Sequence, residues 1–448
     1  MFIYSHLHAE TMTKTFKPST KQQIVLLGYS LLWLLIIPFA LCYFVYQLIK
    51  RKPGYTKVRL SRYGFTSKQV NHKNGPLIHC ASVGEVVAIQ NLVEQLLDNN
   101  PNQRITITTN TTTGADRVKQ LFASRVEHAY LPYDFPLCIK LFLKIKQPTK
   151  VLINEMELWP NLCHQCWCSN IPIFIINGRM SEKSTKTYQK YPSLFQPMFE
   201  KITAICAQDQ RDYQNYMTLG VNPDKLTLTN NIKFDLTISA QDIALSQTIK
   251  TKFALEQRLL IVAGSTHEPE EQILLDAYLA LVIHYPALLL IIVPRHPHRF
   301  GKVHQLLQTQ NIETVLMSEE KPCQTNSQVL LCDQMGILRS IYALADISFV
   351  GGSLADRGGH NALEPAALGV PILMGESTYN NPAICQALAY SGALLTVTDA
   401  QQIISACQKW FDNPQQRKLA GDAGKQALAD NSGAIQKTLD VLTAYQSY

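Results

Sequence analysis

Three segments in the first half of this chain put ionisable side chains where chemistry could be done. In "HCASVGEVVAIQ", residues 79–90, an apolar strand ends, Ser82 can cap the helix that follows, and Gly84 lets the turn run close to a ligand. Glu85 falls in that helix's first turn, where the dipole favours the ionised carboxylate. A general base needs such a placement, held by backbone and facing a cleft. The same S-x-x-E spacing also describes a capping box, so the motif alone serves either role. In "NEMELWPN", residues 154–161, a second strand end carries Glu155 and Glu157. Two carboxylates there could orient a cationic or hydroxyl-rich reactant, or simply open a helix at Pro160. "NNIKFD", residues 230–235, places Lys233 among apolar neighbours, where an ammonium can neutralise a phosphate.

The second half offers anion-binding chemistry. "AGSTHEPEE" (263–271) puts Ser265 and Thr266 at an expected helix start, whose N–H groups suit an anion. "VPRHPHRF" (293–300) follows a strongly apolar strand, so Arg295 and His296 are expected at the mouth of a sheet, and Arg suits bidentate phosphate binding. "DQMGIL" (333–338) is a Gly-containing helix entry. "GGSLADRGGHNALEPAALGVPIL" (351–373) joins paired glycines to Asn361 and Glu364, three apart on one helix face. A carboxylate so placed can accept from two vicinal hydroxyls, as on a ribose. No P-loop, dinucleotide fingerprint or nucleophile elbow is present, which weakens ATPase, dehydrogenase and hydrolase readings.

The elements that must hold these residues alternate in type. "LIHCA" (77–81), "RITIT" (104–108), "VLIN" (151–154), "IPIFII" (171–176) and "ITAICA" (202–207) read as strands separated by amphipathic helices. After the polar stretch "DLTISAQDIALSQTIKTKFALEQ", a linker plus helix, a second series follows: 258–264, 288–293, 329–332, 347–352 and 370–375. Such alternation predicts parallel βαβ units. The expected architecture is α/β, two doubly wound Rossmann-like domains with a cleft between them, and ligands bind beyond the carboxyl ends of such strands.

Length and charge bound the rest. At 448 residues, two domains are expected. The net charge of +7 is local: residues 1–62 hold nine Lys/Arg against one acid, Glu10, and the remaining 32 basic and 33 acidic residues nearly cancel. That argues against nucleic acid. The basic region borders "IVLLGYSLLWLLIIPFALCYFVY", Ile24 to Tyr46, 23 residues without a charge. At about 1.5 Å per residue it can cross a core of about 30 Å, with a buried helix or monotopic hairpin as the competing reading. The dense cluster "KRKPGYTKVRLSRYG" should stay cytoplasmic. Eleven cysteines without paired spacing suit a reducing compartment. "CHQCWC" (163–168) is expected to be helix packing rather than a metal site.

Together "RYGF", "SVGE", "NEMELWPN", "NGRMSEKS", "NNIKFD", "AGSTHE", "PRHPHRF" and "GGSLADRGGHNALEP" run in one register from about residue 60 to 440. This set resembles the 3-deoxy-D-manno-octulosonic acid (Kdo) transferases of lipopolysaccharide assembly. The resemblance implies a GT-B fold, a CMP-Kdo donor, a lipid A precursor acceptor, lipid IVA, and an enzyme of the inner membrane facing the cytoplasm. It implies Glu85 as general base, with Glu155 and Lys233 stabilising the transition state. It assigns Pro294, Arg295, Met335, Gly336, Ile337, Asn361, Ala362, Leu363 and Glu364 to the CMP site. No cofactor or metal is implied, since a CMP-sugar carries a single phosphate. The chain departs from the family pattern at Ile337 (usually Glu), Ala362 (Pro), Gly178 (Ala) and Met156 (Thr).

The expected organisation is a tail (1–23), a membrane helix (24–46), a basic juxtamembrane segment (47–75), an acceptor domain (76–236), a linker (237–256), a donor domain (257–430) and a closing helix (431–448). Two rivals remain: a GT-B transferase using another nucleotide sugar on a membrane lipid, and a non-catalytic membrane-anchored binding protein.

Overall fold

The structure, a computed structural model, describes residues 16–49, 61–66 and 73–445. The densest part of the basic juxtamembrane segment, residues 50–60, lies outside the described residues, as do residues 1–15 of the tail. The chain divides into two units: one runs to Ile232 and resumes at Gly433, and the other is Lys233–Ser432.

In the first unit, seven strands form one parallel sheet: β1 (Lys73–Cys80), β2 (Gln103–Thr109), β3 (Glu127–Tyr130), β4 (Val151–Asn154), β5 (Ile173–Gly178), β6 (Ala204–Ala207) and β7 (Leu226–Leu228). Their order is β3-β2-β1-β4-β5-β6-β7. The winding reverses between β1 and β4, which leaves a crevice beyond their carboxyl ends. Both faces of the sheet are covered, so β4 and β6 are buried at every residue. The closing helix Ala434–Ala444 belongs to this unit. Its Ala434, Ile435, Leu439 and Leu442 join the core around Ile78, Ile107 and Phe174, and Lys150 Nζ donates to Leu442 O at 3.1 Å.

The second unit repeats the plan with β8 (Leu259–Thr266), β9 (Leu288–Pro294), β10 (Thr314–Leu316), β11 (Val329–Leu331), β12 (Ile347–Val350), β13 (Ile372–Met374) and β14 (Leu394–Thr396), in the order β10-β11-β9-β8-β12-β13-β14. Here the reversal lies between β8 and β12. The expected linker contains a helix, Ala240–Lys252, started by a capping box of Ser239 and Asp242, and its Ile249 is buried in this unit's core.

Two readings change. Ser265 and Thr266 do not open a helix: Thr266 pairs with Pro294 as the last residue of β8, and the helix begins at Glu270. Gly84, expected in the turn before the helix, lies inside the helix Val83–Ala88, and within the protein the nearest atom to an added Cβ is Ser82 Oγ at 3.8 Å, so the fold itself does not require glycine there.

Candidate active site

The reversal point of the first sheet collects the acidic residues. Glu85 follows β1, and Glu155 and Glu157 follow β4. A cavity of about 330 Å³ is lined by Glu85, Glu155, Met156, Glu157, Arg179, Ser181 and Ser184. The last three come from "NGRMSEKS", beyond β5, and no role was read from their spacing in the sequence.

Glu85 is held as its spacing requires. Its N–H donates to Ser82 Oγ at 3.3 Å, Ser82 Oγ donates to Glu85 Oε1 at 3.1 Å, and Ala81 N–H donates to Oε2 at 2.9 Å. The capping arrangement and the base placement therefore coexist: the cap fixes a carboxylate at the cavity wall. Burial raises the Glu85 pKa above the usual 4.5, and the nearby Glu155 carboxylate raises it further, against the lowering by the Ala81 and Ser82 hydrogen bonds. Such a group takes up a proton more readily than an exposed glutamate.

Glu155 takes φ 58°, a left-handed backbone that a non-glycine residue adopts at a cost of about 1–3 kcal/mol. Its N–H still donates to Ile176 O at 3.0 Å. Glu157 is engaged differently. Its Oε2 lies 2.8 Å from His79 Nε2 and accepts from Asn110 Nδ2 at 2.8 Å and Trp159 Nε1 at 3.2 Å. His79, fully buried in β1, contacts Thr108 Oγ1 through Nδ1 at 3.0 Å. Burial alone pushes Glu157 up, but these partners outweigh it and leave its pKa lowered. The "RYGF" motif ends on the same network: Arg62 Nη1 donates to Asn110 Oδ1 at 3.1 Å and Leu131 O at 2.9 Å. The sequence alone does not single out His79 and Asn110, because their partners lie far along the chain.

In the second unit the residues expected to meet CMP fall around the ends of β9, β11 and β12. Pro294 ends β9, and Arg295 N–H donates to Thr266 O at 3.1 Å while its side chain is exposed. Its neighbour Arg299 is instead paired with Glu271 at 2.9 Å. Met335 and Gly336 are exposed, Gly336 has φ 89°, and Ile337 caps the helix Leu338–Tyr342. Ala362 and Leu363 are buried in this unit's core. Asn361 Oδ1 accepts from Leu363 N–H at 3.2 Å, and Glu364 Oε1 accepts from Arg339 Nε at 3.3 Å. Burial raises the Glu364 pKa, with Arg339 opposing. Lys233, the first residue of this unit, donates through Nζ to Asn381 Oδ1 at 3.2 Å.

A buried carboxylate that sequence reasoning missed organises this mouth. Glu270, fully buried, accepts five backbone N–H bonds: from Ser353, Leu354 and Ala355 on Oε1 at 3.0, 2.9 and 3.3 Å, and from Gly352 and His267 on Oε2 at 2.8 and 2.9 Å. It thereby ties the turn after β8 to the glycine loop after β12. Gly351 is required there, because a Cβ would lie 2.3 Å from Ser265 O. The joined loops set His267 Nε2 2.9 Å from His360 Nε2. Burial, with nearby Arg and His cations, brings both imidazoles down to about 4.

The family model described as 3-deoxy-D-manno-octulosonic-acid transferase (kdotransferase) matches residues 58–236. The 3-deoxy-D-manno-octulosonic acid transferase of Haemophilus influenzae is 39% identical over 419 residues, 93% of this chain and 98% of that one. The protein of the same name from Chlamydophila psittaci is 28% identical over 87% of this chain and 90% of that one. Among solved structures, a UDP-GlcNAc 2-epimerase from Neisseria meningitidis superposes with a TM-score of 0.59 at 16% identity, covering 83% of this chain and all of that one. That likeness speaks to fold alone: two parallel α/β units of the kind found in GT-B glycosyltransferases. On the full-length identity to the Haemophilus protein, this chain belongs to the 3-deoxy-D-manno-octulosonic acid transferase family of glycosyltransferases.

Proposed function

We propose that this enzyme moves Kdo from CMP-Kdo to a hydroxyl of a lipid A precursor, lipid IVA, with inversion at the anomeric carbon, on the cytoplasmic side of the inner membrane. The observation that carries the reading is the placement of Glu85: a carboxylate with a raised pKa on the wall of a cavity beyond β1 and β4. Glu85 takes the proton of the acceptor hydroxyl as its oxygen bonds to the Kdo anomeric carbon. The bond from that carbon to the phosphate oxygen breaks, and CMP departs with the electron pair. Glu155 and Lys233 stabilise the transition state, Glu155 by its negative charge beside the oxocarbenium-like carbon and Lys233 by its positive charge.

Arg295, exposed beyond β9, pairs with the phosphate, while Pro294, Met335, Gly336 and Ile337 frame the nucleotide. Backbone groups of Ala362 and Leu363, with the side chains of Asn361 and Glu364, complete the CMP site. Ile337 stands where the family usually has Glu, and contacts through the backbone of that turn survive the change. The apolar helix Thr20–Ile49 anchors the enzyme to the membrane that holds its acceptor.

The test is purified full-length enzyme with lipid IVA and CMP-Kdo generated in situ, the product read by mass. Addition of Kdo units supports the assignment, and the mass counts them. No addition with this pair, beside transfer from a UDP-sugar, sinks it.

A further inference from the structure

The helix Thr20–Ile49 is apolar nearly all round, yet its faces meet different surroundings. One face docks along the first unit. The Phe16 ring, just before the helix, lies 6.4 Å from that of Trp167. Gln22 and Leu26 line a small cavity with His164, Met198 and Lys201 of the helices Pro160–Cys168 and Pro192–Lys201. Tyr29 OH donates to Asp134 Oδ2 at 3.1 Å, Ser30 Oγ donates to Asn161 Oδ1 at 3.0 Å, and the Trp33 ring lies 5.8 Å from Tyr133. Positions 22, 26, 29, 30 and 33 fall on one side at helical spacing. The other side is bare: Ile24, Leu27, Leu31 and Leu35 are 63, 59, 50 and 66% exposed, and Phe39 is 77% exposed.

These contacts argue against a span. A docked stretch reaching Trp33 would carry His164, Lys201 and the Asp134 carboxylate into hydrocarbon with it. Among the described residues the helix runs 16 residues beyond Trp33, Leu34–Ile49, or about 24 Å against the roughly 30 Å needed. The chain then continues as Lys50, Arg51, Lys52, which suits the anionic headgroup region rather than the hydrocarbon. The apolar surface also extends beyond the helix. Tyr133 packs on Tyr63 at 5.5 Å, and past them Phe65 and Leu137 are 62 and 67% exposed. Gly64, beside Phe65, lies against Cys138 O, beside Leu137. Tyr and Trp at the rim of such a surface are the side chains that settle at headgroup depth.

We infer that the helix Thr20–Ile49 lies in the plane of one leaflet, docked on the first unit, and that its outer face with Phe65 and Leu137 forms a monotopic surface embedded among the acyl chains of an anionic phospholipid membrane. The inference rests on the membrane-anchor reading and deepens it. It also links the lipid surface to the cavity: Arg62, three residues before Phe65, holds Asn110, which holds Glu157 on the cavity wall.

The test uses the full chain with an epitope at each end, expressed in a Gram-negative host. In-plane insertion predicts that protease removes both epitopes from inverted inner-membrane vesicles and neither from spheroplasts. Removal of the N-terminal epitope alone in spheroplasts means a span and overturns the inference while leaving the anchor reading intact. Absence of the protein from the membrane fraction overturns both. Independently, the exposed-site double variant Phe65→Asp/Leu137→Asp should keep its Tm and lose binding to phosphatidylethanolamine–phosphatidylglycerol vesicles by tenfold or more. Unchanged vesicle binding contradicts the proposed surface.

Discussion

Glu157 Oε2 lies 2.8 Å from His79 Nε2, and this pairing ties one of the two carboxylates that follow β4 into the framework. Glu157 is bound into a network joining β1, β2 and the turn after β4. Glu155, two residues earlier, acts electrostatically on Glu85.

That influence predicts a pH effect. A base must be ionised, so kcat/KM falls as pH drops through the raised pKa of Glu85. Burial is the larger cause of the rise and Glu155 adds to it. In Glu155→Gln the added rise disappears and the acidic limb moves to lower pH, whatever happens to the maximal rate. A pH–rate profile of both proteins checks it, and an unmoved limb removes Glu155 as a neighbour of the base.

Glu157→Gln should act on stability. The folded pKa of Glu157 is lowered, so its contribution is present above the ordinary glutamate value and is lost as pH falls through the folded one. The variant should be less stable at pH 7 by about 1.5–3 kcal/mol, the usual worth of hydrogen bonds to a charged group. Urea midpoints measured at pH 7 and again well below the ordinary glutamate range should converge at the acid end.

Removing the Glu270 carboxylate leaves five backbone donors without their acceptor, two of them, on Gly352 and Ser353, buried. At about 1–3 kcal/mol for each buried group left unsatisfied, Glu270→Ala should lower Tm by something on the order of 10 °C. Glu270→Gln, which keeps acceptor capacity on one oxygen, should recover part of it. Differential scanning calorimetry distinguishes the two, and CMP titration should show weakened binding in both, since the glycine loop is no longer fixed.

Two glycines give opposite expectations. An alanine at 351 meets Ser265 O at 2.3 Å, so Gly351→Ala should destabilise the second unit by more than about 2 kcal/mol. Gly84→Ala meets nothing closer than 3.8 Å within a helix and should be neutral or stabilising by up to about 1 kcal/mol. Thermal melts of the pair read the contrast directly.

What the sequence made legible follows from burial. Ten strands show as apolar runs because both faces of a parallel sheet are covered. The four that escaped notice, β3, β7, β10 and β14, are the edges of the two sheets. Each has three or four residues, and β10 is only half-buried along its length, so no apolar run marks it. The closing helix showed as a helix, but nothing local says that it packs around Ile78 and Phe174 rather than on the unit it follows.

The site was legible where function rests on a motif's own residues and illegible where it rests on distant partners. Glu85 is capped by Ser82, three residues away, and both stand in one motif. Glu270 is invisible as an organiser because four of its five partners are backbone groups some eighty residues downstream. Ser265 and Thr266 resemble a helix start, but Glu270 takes the His267 N–H that such a start would offer to an anion.

The most direct test of the catalytic account compares wild type with Glu85→Gln in the lipid IVA and CMP-Kdo assay, alongside CMP titration and a thermal melt. Gln keeps the size and the acceptor oxygen of the side chain and removes the base. The account predicts unchanged CMP affinity and a Tm within a few degrees of wild type, with turnover reduced by a factor on the order of 10² to 10⁴. Turnover within tenfold of wild type contradicts it and moves the base away from Glu85.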